Sequence, residues 1–234
     1  FTFHTYGFLL GLAIVFAISL IEKKFKIYNY DKNCFWTIVI FSLFFGILGA
    51  RAWHVMTDFY LYSNNFEQIF YVWNGGLSIF GGLIGIIFGI YLGIKLIKPC
   101  NNISFIKVLD IMVFGLPVGQ LIGRLGNYVN QELYGFPTNS FLKIHISPEN
   151  RLPFYKDVAY YHPLFLYEMI PLAIFFIVVY YLDNKTKLLQ VGSGKLFLTY
   201  LTYYLILRFL LDFIRIDKVM FVDTSFSINQ IFII

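Results

Sequence analysis

Long apolar runs separated by short polar segments organise the whole chain. Runs of about 20 apolar residues are long enough to cross a bilayer core of about 30 Å as helices. The pattern predicts helices near Tyr6 to Ile21, Phe35 to Met56, Leu77 to Ile97, Val108 to Leu125, Pro163 to Leu182 and Leu196 to Ile214. A seventh is begun at "SINQIFII". The connection from Gly126 to His162 is about 37 residues long, more than a structureless loop inside a compact domain usually is. It is expected to pack as an external cap or arm. The pattern therefore predicts an all-α polytopic membrane protein: a transmembrane helix bundle with its seventh helix cut short, forming one domain over residues 1–234, with residues 126–162 as an external loop or head region.

Composition agrees. The chain is 59% hydrophobic and 13% charged, where ordinary globular domains carry about 25% charged residues. The net charge of +5 is not a nucleic-acid footprint, because its placement follows membrane orientation. Lys23, Lys24, Lys26 and Lys32, then Lys95, Lys98 and Lys107, then Lys185, Lys187 and Lys195 fall in loops on one side. The opposite loops carry Lys143, Arg151, Lys156, Arg215 and Lys218. The positive-inside rule makes the lysine-rich loops cytoplasmic and the N-terminus external. The sequence starts at Phe1 and stops at Ile234 within an apolar stretch, so both natural ends are expected to lie beyond it. Cys34 and Cys100 are too few for a disulfide framework and lack metal-ligand spacing. Both are expected to be structural residues.

Orientation turns the polar residues into a map. His4 and Tyr6 fall at the outer end of the first helix, Arg51 and His54 near the outer end of the second, and "WNGGLSIFGG" at the outer start of the third. Arg124 ends the fourth, and "HPLFLYE" starts the fifth. Arg208 lies about 18 Å from the cytoplasmic start of the sixth at 1.5 Å per residue. Six helices thus bring unusual residues to one outer half. A charged residue within a span costs roughly 2.5 to 3.5 kcal/mol on insertion scales and normally faces a partner or a wet cavity. Arg208 and Asp212, four apart on one helix face, offer a local pair. The layer still holds more cations than acids, and guanidinium grips phosphate in a bidentate fork. A phospholipid phosphate is the inferred ligand of Arg124 and Arg208, while for Arg51 structure and function remain equally open.

Glycines carry two readings. Gly81, Gly85, Gly89 and Gly93 repeat every four residues, the small-residue pattern that lets helices approach, and those beyond Gly82 are read as packing. Gly75, Gly76, Gly81 and Gly82, at the outer entrance, either pack or let a ligand approach the backbone. Gly126 is placed to end the fourth helix. Asn127 and Asn130 then either cap freed backbone groups or hydrogen-bond a ligand's hydroxyls.

Taken in order, these residues resemble the phosphatidylglycerol:prolipoprotein diacylglyceryl transferase family. The resemblance rests on "HTYGFLLG", "GARAWHV", "WNGGLSIFGGLIG", "LPVGQLIGRLGNYVNQELYG", "HPLFLYE" and "RFLLDFIRID". The fourth is the family's signature and is specific; the others alone are weak. The resemblance implies a seven-helix membrane bundle with an external head and arms. It also implies a reaction, the first step of bacterial lipoprotein maturation: the diacylglyceryl group of phosphatidylglycerol moves to the lipobox cysteine thiol of a prolipoprotein, releasing glycerol 1-phosphate. The implied setting is the bacterial inner membrane, with the active site in the outer-leaflet half. Arg124, Asn127 and Gly135 match essential signature positions, Tyr6 matches the first-helix tyrosine, and Arg208 matches the sixth-helix arginine. Asp110, Glu132 and Glu168 match family acids.

The chemistry asks for cations on the phosphate and for help in deprotonating a thiol of reference pKa about 8.5. The catalytic expectation is Arg124, Arg208, Tyr6, Asn127 and Glu132. The substrate-binding expectation is Arg124, Asn127, Gly135, Arg51, Gly81, Gly82, His162 and Glu168. No metal or organic cofactor is expected. One departure matters: many relatives carry histidine before the second glycine pair of the third helix, and here Phe80 stands there. Tyr6, Glu132 and His162 are candidates to replace that base; alternatively the arginines lower the thiol's pKa, or the enzyme is impaired. A transporter or channel for an anionic substrate is the alternative. It is disfavoured because, apart from Asp110, the cytoplasmic halves of the helices are nearly featureless.

Overall fold

The computed structural model describes residues 5–63, 65–96, 100, 103–183, 190–218, 220 and 226–233. His4, Ile97, Lys98, Lys185 and Lys187, named above, lie outside the described residues. The helices are α1 (Thr5–Ile27), α2 (Lys32–Thr57), α3 (Ile79–Leu96), α4 (Phe105–Met112), α5 (Leu116–Val129), α6 (Leu164–Leu182), α7 (Lys195–Asp212) and α8 (Ile228–Ile233). α1, α2, α3 and α6 are long and apolar enough to cross a membrane, and α4 with α5 meets the same length and composition test only as a bent pair, a broken span or a re-entrant loop. The protein is a helical multi-pass membrane protein. α7, at 18 residues, reaches about 27 Å, but its tyrosines, threonines, Arg208 and Asp212 make it the more polar helix.

Two boundaries differ from the sequence reading. α1 continues through "EKKFKI" to Ile27, so Lys24 and Lys26 form its last turn. The single fourth helix is two, parted at residues 113–115, with Pro117 in the first turn of α5. Proline suits that position because the first-turn N–H groups have no intrahelical partner. Cys34, in the first turn of α2, and Cys100 form a disulfide with Cα atoms 5.1 Å apart. Both are almost fully buried.

The described residues group into two compact units: Glu22–Ile111, and Phe1–Ile21 with Met112–Ile234. In the first, α2 and α3 pack backbone to backbone. A Cβ on Gly81, Gly85 or Gly89 would collide with the carbonyl oxygen of Gly49, Phe45 or Phe41. The four-residue stripe is therefore the seam of this helix pair, as the small-residue pattern requires. Asp31 caps α2, accepting from the Asn33 and Cys34 N–H groups. The connection from α2 to α3 is built of 3-10 turns at Phe59–Leu61, Phe66–Phe70 and Val72–Asn74.

In the second unit α5 packs on α6, α6 on α7, and α7 on α8. The long connection folds into a small head between α5 and α6. Strands β1 (Ile144–His145) and β2 (Tyr160–Tyr161) pair antiparallel, the only named strands among the described residues of this otherwise helical chain. Tyr134, Ile146 and Tyr161 are buried together, with Ile144, Tyr155, Val158 and Ile216 against them. Burial pushes the phenol of Tyr161 above its ordinary range. At the far end, Ser227 opens α8 with its hydroxyl accepting from the Gln230 N–H at 3.1 Å and donating to Asp212.

Candidate active site

The middle of the signature stretch, Gly123–Val129, lies on the last turns of α5. Arg124 and Asn127 are three apart, hence neighbours on one helix face, and Arg124 Nη1 donates to Asn127 Oδ1 at 3.0 Å. Its Nη2 donates to Glu168 Oε1 on α6 at 2.5 Å. The other oxygen, Glu168 Oε2, accepts from Arg208 Nη1 on α7 at 2.9 Å. One carboxylate with 0% of its side chain exposed thus bridges two guanidiniums that are 21% and 19% exposed. The pairing corrects the local one offered by sequence. Arg208 turns to α6, while Asp212 is held by Ser227 from α8.

The cluster keeps spare valence. Two guanidiniums and one carboxylate leave one positive charge, and Arg124 Nε is buried without a hydrogen-bond partner. An unmet buried donor costs about 1–3 kcal/mol, which an incoming anionic oxygen would recover. Tyr204, one turn before Arg208 on the same face of α7, interacts with both Glu168 and Arg124. Sequence reading missed it, although its four-residue spacing from Arg208 was available as a signal.

After α5 the chain turns sharply. Asn127 Nδ2 and Asn130 Nδ2 donate to the two oxygens of Glu132, at 3.3 and 3.0 Å. Glu132 is flanked by Gln131 at φ 54° and Leu133 at φ 55°, a left-handed conformation that costs a non-glycine residue of order 1–3 kcal/mol. The turn is held by Phe165 N donating to Leu133 O and Gly135 N donating to His162 O. Glu132 thereby fixes Asn127, which in turn fixes Arg124. Gly135 sits where three segments meet, and a side chain there would press on Leu164, Ile214 O and His162. His162 Nδ1 lies 3.0 Å from the Tyr167 hydroxyl. The Tyr6 ring lies on Gly126, between Arg124 and Asn127 along the chain.

Beside this turn, Arg215 and Asp217 form a two-pronged pair at 2.6 and 2.8 Å. The Arg215 hydrogen bond holds the Asp217 carboxyl below its ordinary range. A depressed carboxylate stabilises the fold above its unfolded pKa, and that contribution is lost as pH falls through the folded value.

Arg51, expected among the substrate-binding residues, is occupied otherwise. Its Nε donates to Ile69 O at 2.8 Å, Nη1 to Gly75 O and Gly76 O at 2.7 and 3.0 Å, and Nη2 to Gln68 O. The guanidinium also lies 5.0 Å from the Tyr62 ring centre. All three nitrogens serve main-chain carbonyls of the α2–α3 connection, so Arg51 clasps that connection to α2. Arg51→Ala is expected to cost about 3 kcal/mol or more, since hydrogen bonds from charged groups contribute about 1.5–3 kcal/mol each. A lowered unfolding temperature in detergent checks this; an unchanged one, with lipid binding lost, would return Arg51 to the substrate. Gly81 packs on α2, where an added Cβ would meet Gly49 O and the Trp53 side chain, whereas a Cβ at Gly82 would meet nothing closer than Ala50 at 3.6 Å. Phe80 is 46% exposed, with Trp53 beside it.

A helical membrane protein whose interhelical polar groups converge on a buried carboxylate bridging two guanidiniums is the class that fold and site define. The chain belongs to the prolipoprotein diacylglyceryl transferase family, whose model matches residues 1–234. It is 33% identical over 228 residues to the phosphatidylglycerol–prolipoprotein diacylglyceryl transferase of Listeria innocua serovar 6a, covering 97% of this chain and 79% of that protein. It is 34% identical over 214 residues to that of Finegoldia magna, covering 91% and 79%. The enzyme of Bacillus licheniformis is 35% identical over 222 residues, covering 94% and 79%.

Proposed function

We propose that this protein transfers the diacylglyceryl group of phosphatidylglycerol to the lipobox cysteine thiol of prolipoproteins, releasing glycerol 1-phosphate. The observation that carries the reading is the Arg124–Glu168–Arg208 cluster with its open Arg124 donor. Its single surplus positive charge matches the single negative charge of a lipid phosphodiester. Arg124 holds the phosphate, with Asn127 fixing its fork. Arg208 meets the charge that develops on the leaving glycerol phosphate. Preorganised cations in a water-poor site stabilise such charge without reorganising. Asn127 and Asn130, pinned by Glu132, face the head-group hydroxyls, and Tyr6 closes the site along α1. The site belongs to the outer-leaflet half of the bacterial inner membrane, where a secreted precursor presents its cysteine and where the lysine distribution puts these helix ends.

The test is release of glycerol phosphate by purified protein. Release is expected only when both phosphatidylglycerol and a lipobox peptide are present, and not when the peptide cysteine is replaced by serine. Release without peptide would make the protein a lipid hydrolase. No release at all, with a relative active in the same assay, would leave the transferase reading without support.

A further inference from the structure

Arg124 and Arg208 serve the lipid phosphate, but the acceptor polypeptide must also be held while its thiol reacts. We infer that a cavity in the head, walled by the turn after α5, is the subsite for the polypeptide segment that follows the acceptor cysteine. The inference rests on the transferase reading and deepens it.

The cavity has a volume of about 250 Å³. At about 30 Å³ per liquid water, that is room for roughly two small residues of an extended chain. Half-buried Leu133, Leu152 and Ile216 give it an apolar lining, and exposed Glu132, Asn150 and Asp217 stand around them. Apolar walls with a few polar groups to fix orientation are the usual make-up of a binding site. These walls are pinned. Tyr134 donates its hydroxyl to Asn150 O at 2.8 Å and accepts from Leu152 N at 3.1 Å. Gln131 grips Ser147 through two hydrogen bonds, at 2.6 and 3.0 Å, and Arg215 holds Asp217 with two prongs. A site already ordered loses less free energy to ordering when its ligand arrives.

Charge separates the two substrates. No lysine or arginine lines the cavity, and two carboxylates do. Arg215 offsets Asp217, whereas the oxygens of Glu132 accept from the neutral amides of Asn127 and Asn130, which leaves the Glu132 charge in place. A phosphodiester is repelled there and goes to the guanidiniums. A polypeptide main chain is neutral and offers alternating N–H donors and C=O acceptors. The side-chain amide of Asn150 makes no hydrogen bond among the described residues, and an amide can answer both kinds of group.

Position points to the same occupant. Glu132 walls the cavity and also fixes Asn127, which fixes Arg124, so the cavity and the phosphate site share one side chain. In a secreted precursor the apolar signal region precedes the processing site and the mature chain follows it. With the cysteine at the lipid, the residues after it run outward into the head.

Leu152→Trp, which fills the cavity, and Asn150→Ala, which removes its open amide, test the inference in the full chain. Both should fold, because Tyr134 holds main-chain atoms of these two residues. For Leu152→Trp the KM of a lipobox peptide is expected to rise about tenfold or more, equivalent to about 1.4 kcal/mol. Asn150→Ala should raise it in the same direction, and in both the KM for phosphatidylglycerol should stay at the wild-type value. With the wild type, a peptide carrying aspartate in place of asparagine directly after the cysteine should show a raised KM. A check independent of any variant is a peptide with an aliphatic diazirine residue two places after the cysteine, which on irradiation should crosslink to the wild type within residues 130–134, 150–152 or 216–217. A KM for phosphatidylglycerol that rises as far as that for peptide would assign the cavity to the lipid head group and overturn the inference. So would an unchanged peptide KM in Leu152→Trp, or crosslinks confined to other segments. Any of these with an active wild type leaves the transferase reading standing, whereas an inactive wild type overturns that reading and this one with it.

Discussion

Arg124→Ala is expected to abolish transfer while the protein still inserts and folds. The side chain makes two contacts at once, one to Asn127 on its own helix and one to Glu168 on α6, and it holds a third nitrogen unpartnered. Removing one preorganised donor from a site that stabilises developing negative charge typically costs 10²- to 10³-fold in rate. Arg124 offers several, so a loss of about 10³-fold or more is expected. Folding should survive because Glu168 keeps Arg208, so no buried carboxylate is left unpaired. Arg124→Lys sharpens the point: an ammonium is a single point charge on a flexible stem and lacks the planar fork. It is expected to retain no more than about one hundredth of the rate, a loss in line with that of one preorganised donor. Initial rates with saturating phosphatidylglycerol, beside unfolding temperatures in detergent, check both. Lysine supporting wild-type turnover would show that charge alone suffices and that the fork geometry is incidental.

Gly135→Ala carries the second largest expected effect, for a different reason. The residue touches no charged group of the site. Its backbone N–H is tied to His162 O at 2.8 Å, and it is bridged to Arg215. An added methyl would push into Leu164, Ile214 O at 2.8 Å and His162 Cβ at 3.0 Å. Overpacking of this kind costs about 1–3 kcal/mol. The turn that must yield is the strained one carrying Glu132, and Glu132 pins Asn127. Displacing a positioning element by about 1 Å can cost 10²-fold in rate, so both a lower unfolding temperature and a loss of that order are expected. A variant with normal turnover would disconnect the head turn from the site.

The helices were legible because uninterrupted apolar length is a strong signal, and Arg124, Asn127 and Arg208 because a charge or amide inside such a run stands out. Arg124 and Asn127 could even be placed together from their spacing of three. What escaped depends on distance along the chain. Asp212 looked like the partner of Arg208 because it is four residues away, whereas the observed partner, Glu168, is 40 residues away on another helix. The Cys34–Cys100 pair, 66 residues apart, exists because α2 and α3 run back along each other, and no spacing rule announces it. It also sets an oxidised bond at the helix ends that the lysine rule assigns to the cytoplasm. Arg51 was ambiguous because main-chain carbonyls, its actual partners, are present at every position and leave no mark in a sequence. The break between α4 and α5 was marked by Gly115 and Pro117, but the apolar run continues through it and hid the punctuation. In the head, strands of two residues are too short to show a period.

The most direct measurement of the central claim is the mass of a lipobox peptide after incubation with purified protein and phosphatidylglycerol. The account predicts a gain of one diacylglyceryl group on the cysteine sulfur, stable as a thioether, absent with Arg124→Ala and absent when phosphatidylglycerol is omitted. A peptide of unchanged mass with the wild-type protein, under conditions where the Listeria innocua relative modifies it, would contradict the account.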